Sequence, residues 1–110
     1  MPLSEKARIE VYLPDVRHPS YPELRDTLET EFTHAFGGCS LVEGLHGSYL
    51  SRAGAVIRDR VNLLFADTPF TFAANFATLS NYVDKLQLAV MNALEEESVL
   101  IAVYPVFHGE

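Results

Sequence analysis

The stretch CSLVEGLHGSYLSRAGAVIRDRVNLLFA, residues 39–66, decides the fold. Its first part, Cys39 to Ser51, alternates Leu41, Glu43, Leu45, Gly47 and Tyr49 and predicts a strand. A distortion is expected at Gly44 or Gly47, where the missing side chain weakens the ladder. Arg52-Ala53-Gly54-Ala55 predicts a hairpin connection, with glycine supplying the positive φ. Ile57 to Ala66 predicts a third strand in the chain. Val61, Leu63 and Phe65 are expected toward the core, and Arg58, Arg60 and Asn62 toward the opposite face. The middle of the chain is thus an antiparallel hairpin, and what flanks it fixes the architecture.

On the N-terminal side, Arg8 to Leu13 alternates Ile9, Val11 and Leu13 with Arg8, Glu10 and Tyr12, a half-buried strand. Pro14 ends it. Ser20-Tyr21-Pro22-Glu23 has the form of a capping box, in which the serine oxygen and Glu23 satisfy each other's backbone amides. Leu24, Leu28, Phe32 and Phe36 then recur every four residues along one helical face, and Gly37-Gly38 supplies the left-handed stop. On the C-terminal side, Asp67-Thr68-Pro69 breaks the third strand. Phe76, Leu79, Val83, Leu86, Val90 and Ala93/Leu94 mark a second helix over roughly 75–96, with Thr71, Asn75 and Thr78 as candidate caps. Glu95-Glu96-Glu97 is an unfavourable ending, because acids oppose the dipole at a helix C-terminus. Ser98 to Phe107 predicts the last strand, placed at an edge by Pro105.

The order strand, helix, strand, strand, helix, strand is the split β-α-β pattern of the ferredoxin-like α+β fold. Right-handed crossovers place both helices on one face of a four-stranded antiparallel sheet with strand order 4-1-3-2. The chain of 110 residues forms one domain, spanning 1–110.

Composition excludes several functions. Apolar residues make up 48% of the chain, too many for disorder. The single cysteine, Cys39, excludes a disulfide scaffold and a zinc ribbon. Fifteen acids against eight bases give a net charge of −7, which disfavours nucleic acid and anionic membranes as partners. No signal-like or membrane-spanning apolar run is expected, and one free thiol fits a reducing cytoplasm.

The sheet face without helices is where function is expected. The last strand is apolar on both faces: Val99, Ile101 and Val103 on one, Leu100, Ala102, Tyr104 and Val106 on the other. A strand exposed on one side does not read this way. The expected cover for Leu100, Tyr104 and Val106 is a second copy of the chain, a homo-oligomer. The alternative cover is a chain terminus.

Candidate chemistry centres on Glu10, Tyr12, His46, Arg58, Arg60 and Tyr104. The forked donors of Arg58 or Arg60 suit a planar small anion beside Glu10. The same residues also suit a plain cross-strand ladder of charges on a wet sheet. His46 is a candidate general base, and equally an ordinary polar strand position. His34 and Cys39 bracket the Gly-Gly corner, but a helix C-terminus favours a histidine and a strand start favours a small thiol for structural reasons. The four histidines have no metal-ligand spacing, so neither metal nor cofactor is expected. Gly37-Gly38 follows a helix rather than preceding one, so it is no phosphate loop. Tyr12 and Tyr104 could stack on bases, but they lack the basic residues of RNA-binding sheets. The acidic first helix reads as a solvated face.

Glu31-Phe32-Thr33-His34-Ala35-Phe36-Gly37-Gly38-Cys39-Ser40, followed by Gly44, Gly47, Tyr49 and Gly54, resembles a family of small α/β proteins with an F-G-G-[S/T/C] corner. Arg60-Val61-Asn62 and Asp67-Thr68-Pro69 extend the resemblance over about residues 30 to 70. It implies a ferredoxin-like fold and no particular activity. Two functions follow as expectations. The first is a small self-associating binding or regulatory module. The second is a small enzyme of dimeric α+β barrel type, in which His46 or Tyr104 acts as acid or base and Arg60 holds an anionic substrate. A pocket beside His46 and Arg60 distinguishes the second from the first.

Overall fold

A computed structural model of the chain describes residues 2–109. The elements run β1 (Leu3–Pro14), α1 (Tyr21–Phe36), β2 (Ser40–Leu50), β3 (Val56–Asp67), α2 (Phe76–Leu94) and β4 (Leu100–Gly109). The sheet is antiparallel throughout with order β2-β3-β1-β4, the expected ferredoxin-like arrangement. Ala7, Ile9, Val11 and Leu13 of β1 are buried beneath Leu28 and Phe32 of α1 and Leu79, Leu86 and Val90 of α2. No helix among the described residues is long and apolar enough to cross a membrane.

β1 begins five residues before the expected start. Ser4, Glu5 and Lys6 break the apolar alternation, yet they pair with the end of β4, where Leu3 lies opposite Gly109. β4 runs two residues past Phe107 for the same reason. Helix α1 starts at Tyr21 with Ser20 as N-cap, but no capping-box hydrogen bond forms. The Ser20 amide instead donates to His18 Nδ1 at 3.0 Å. Gly37 alone, at φ +90°, provides the left-handed stop, its N–H donating to Thr33 O. At the end of α2, Glu95 takes the left-handed position at φ +55°, a conformation that favours glycine. Its carboxylate contacts His18 Nε2 at 3.0 Å, which answers in part for an acid at that end.

The main correction concerns β3. Ile9 lies opposite Ala66, Val11 opposite Leu64 and Leu13 opposite Asn62, so Asn62, Leu64 and Ala66 face the helices and are buried. Val61, Leu63 and Phe65 face the other way, with Glu10 and Tyr12. The segment Leu63-Leu64-Phe65-Ala66 is apolar at every position, so alternation alone does not choose a face and register with β1 does. Asn62 is tolerated inside because both ends of its amide are used. Its Oδ1 accepts from the Gly44 N–H at 2.9 Å, and its Nδ2 donates to the Tyr21 hydroxyl at 2.6 Å. This brace sits at a bulge between Val42 and Leu45, where Gly44 adopts φ +75°.

Beyond Pro14, β1 ends and β3 loses that neighbour, so β2 and β3 continue as a two-stranded arm to the turn at Gly54. The turn is closed by the Ser51 N–H donating to Ala55 O at 2.8 Å. The end of the arm is open to solvent: Tyr49, Leu50, Val56 and Ile57 are all exposed.

Candidate functional site

Two connected features stand out, one on the helix-free face and one where the arm leaves the sheet. The first is a polar network on the central strands. The β1 residues Lys6, Arg8, Glu10 and Tyr12 lie opposite Val106, Tyr104, Ala102 and Leu100 of β4, all on this face. Glu10 is almost buried, and both its oxygens are occupied. Tyr104 donates to Oε2 at 2.6 Å and Tyr12 donates to Oε1 at 3.0 Å. Donating to this carboxylate holds each tyrosine hydroxyl above its ordinary pKa of 10, and partial desolvation adds to the effect.

Arg8 grips Asp67 with two hydrogen bonds, Nε to Oδ1 at 2.6 Å and Nη2 to Oδ2 at 3.0 Å. Its guanidinium also stacks over the Phe65 ring at 4.6 Å. His108 Nε2 meets Asp67 Oδ2 at 2.7 Å. The Arg8 hydrogen bond, reinforced by His108, holds the Asp67 carboxyl below its ordinary value of 3.8 against the opposing effect of burial. Arg8 is correspondingly held more firmly protonated by Asp67.

The second feature is an open groove of about 1090 Å³ where the arm leaves the sheet. Tyr12, Asp15, His46, Tyr49, Arg58 and Arg60 are among its walls. It exists because β3 runs on past the end of β1, leaving one edge of β3 bare beside Pro14 to Val16.

The six candidate residues therefore fall into two groups. Glu10, Tyr12 and Tyr104 meet on the open face. His46, Arg58 and Arg60 do not join them there. His46 lies opposite Arg60, and both share the side of β3 that carries Asn62, so the expected ladder of Arg58 and Arg60 beside Arg8 and Glu10 does not form. Arg60 pairs with Asp15 at 3.6 Å. Tyr12 alone belongs to both groups. Cys39 Sγ contacts Glu29 O at 3.7 Å and Thr33 Oγ1 at 3.8 Å, contacts typical of a structural thiol.

Sequence reasoning misses Asp67 and His108. Asp67 reads as part of a strand-breaking Asp-Thr-Pro, and His108 lies beyond the expected end of β4. A signal exists for the histidine: the alternation Leu100, Ala102, Tyr104, Val106 extends to His108.

No protein-family model matches the chain. No curated protein matches it. Solved structures do. The fold is similar to that of CutA1 from Oryza sativa, at 17% identity and TM-score 0.60, covering 98% of this chain and 85% of that one. It is similar to the divalent cation tolerance protein Cut A1 from Thermus thermophilus, at 18% identity and TM-score 0.59, covering 96% and 87%. It is also similar to a phage SAM lyase in complex with S-methyl-5'-thioadenosine, at 17% identity and TM-score 0.56, covering 94% and 89%. Identities this low establish a shared fold, and one fold serving a tolerance protein and a lyase leaves function to the site residues.

Proposed function

We propose that the chain is a self-associating binding module, in which a second copy covers the arm and the helix-free sheet face and small ligands are held by polar residues there. The observation that carries this is surface area. A compact monomer of 12.3 kDa exposes about 6,100 Å². This chain exposes 7112 Å². The excess of about 1,000 Å² matches one side of a standard protein interface, about 800 Å². The radius of gyration, 15.1 Å, also exceeds the roughly 13 Å of a compact chain of this length. Exposed apolar side chains lie where a second copy would sit: Tyr49, Leu50, Val56 and Ile57 on the arm, and Leu100 and Tyr104 on the open face of β4. The single thiol is consistent with a reducing, cytoplasmic setting.

Sedimentation velocity on the wild type and on the double variant Leu50→Asp, Val56→Asp tests the reading. The wild type sediments as an oligomer and the variant as a lighter species with unchanged circular dichroism. Identical sedimentation of the two overturns the role of the arm.

A second reading, a small enzyme with an anionic substrate, is favoured by the groove beside His46, Arg58 and Arg60. On this reading Arg58 binds the substrate in place of Arg60, which is paired with Asp15, and His46 moves a proton. Titrating small carboxylates while following the His46 ring resonances tests it: no saturable shift ends the enzyme reading.

A further inference from the structure

At the other end of the sheet from the groove lies a separate cleft of about 450 Å³. It forms where the end of α1 and the start of β2 meet the first half of β1 and the last residues of β4. Lys6, Ser40, Phe65, Asp67 and His108 line it. We propose that this cleft binds a small oxyanion of the phosphate class between Lys6 and His108. The inference rests on the binding role proposed above and gives it a ligand class, but the cleft is complete within one copy.

Charge carries the argument. Asp67 is the carboxylate of the cleft, and it is fully engaged: Arg8 takes both its oxygens and His108 Nε2 takes one of them again. Arg8 alone offsets its charge. Lys6 has no carboxylate within salt-bridge distance among the described residues. The neighbouring Glu5 faces the helices, where its Oε2 accepts the Phe72 N–H at 2.8 Å. With Arg8 counted beside Asp67, the charged groups at the cleft among the described residues sum to a net positive charge on a chain whose total is −7.

Geometry agrees. Lys6 lies opposite Val106, and His108 lies opposite Ser4. The two residues are thus diagonal neighbours on one face, about 7–8 Å apart with their Cβ atoms somewhat closer. A tetrahedral oxyanion spans that gap, with the ammonium on one side and the imidazole on the other. Asp67 orients the ring by taking Nε2–H, which leaves Nδ1 to donate to the anion when the imidazole is protonated. The Ser40 hydroxyl supplies a further donor at the wall. Asp67 has no spare charge to repel the guest, and Arg8, locked to Asp67 and stacked on Phe65, holds the floor rigid.

The test is a titration of the full chain with inorganic phosphate at about pH 6.5, followed by amide chemical shifts against sodium chloride at equal ionic strength. Saturable shifts are expected at residues 38–40, 67–68 and 106–108. Lys6→Ala and His108→Ala are each expected to weaken binding about tenfold, as loss of one charge-assisted hydrogen bond does. Shifts no larger than those with chloride, affinity unchanged in both variants, or shifts centred on Arg58 and Arg60 overturn the proposal. The mass of each sample, measured in parallel, separates the two claims. A monomer that still binds phosphate refutes self-association alone, and an oligomer that does not bind it refutes this site alone.

Discussion

Asn62 holds the point where the arm leaves the sheet, and its removal has a calculable effect. The residue is 4% exposed and bridges the Gly44 N–H to the Tyr21 hydroxyl. Asn62→Ala deletes both hydrogen bonds and strands both partners. A buried polar group left unpaired costs about 1–3 kcal/mol. Tyr21 is buried, so its loss falls near the middle of that range; Gly44 keeps some contact with water and loses less. The expected loss is about 2–4 kcal/mol, a large share of the roughly 5–15 kcal/mol that holds a small domain together. The chain has no tryptophan, so urea unfolding is followed by far-ultraviolet circular dichroism at fixed protein concentration. Tyr21→Phe removes one of the two bonds and costs about 1 kcal/mol. The double variant loses less than the sum, because one orphaned partner is gone. An Asn62→Ala variant within about 0.5 kcal/mol of the wild type, or strict additivity, refutes the brace.

Three further outcomes are expected. Glu95→Gly relieves the left-handed strain at the end of α2 and gives up only an exposed contact with His18, so stability rises by about 0.5–1 kcal/mol; a lower melting temperature contradicts this. Tyr82→Phe removes a buried hydroxyl, near Glu31, that makes no hydrogen bond of good geometry among the described residues, while keeping the edge-on packing against Phe36. Stability is unchanged or higher by up to about 1 kcal/mol, and a clear loss in thermal melts rejects that account. Asp67 is held below its ordinary value of 3.8, so the folded protein releases its proton more readily than the unfolded chain. Its stabilisation is complete above about pH 5 and fades as acid protonates the folded carboxyl. Asp67→Asn therefore lowers stability at neutral pH and flattens its fall toward low pH; parallel pH profiles for variant and wild type reject the linkage.

The architecture is legible in the sequence because its signals are local and repeated. The four-residue spacing of Leu24, Leu28, Phe32 and Phe36, the turn at Gly54 and the alternation of Ile9, Val11 and Leu13 each belong to one element. A distortion of β2 is visible too, at Gly44 or Gly47, and the structure puts the bulge at Gly44. The facing of β3 is not, because Leu63 to Ala66 is apolar at every position and only pairing with β1 settles the choice. That one ambiguity moves Asn62 into the core and takes Arg58 and Arg60 away from Glu10. The site is half legible for the same reason. Glu10 and Tyr12 sit on a strand whose alternation is clean, and pairing with that strand carries Tyr104 to the same face. Asp67 and His108 sit at strand ends, where boundaries follow the partner strand rather than local pattern.

The central claim is that the exposed arm and sheet face belong to an interface between copies. Light scattering on the eluting wild-type protein measures it directly. A mass that is a whole-number multiple of 12.3 kDa, twofold or higher, at micromolar concentration is the predicted result. A mass of 12.3 kDa throughout the micromolar range contradicts it.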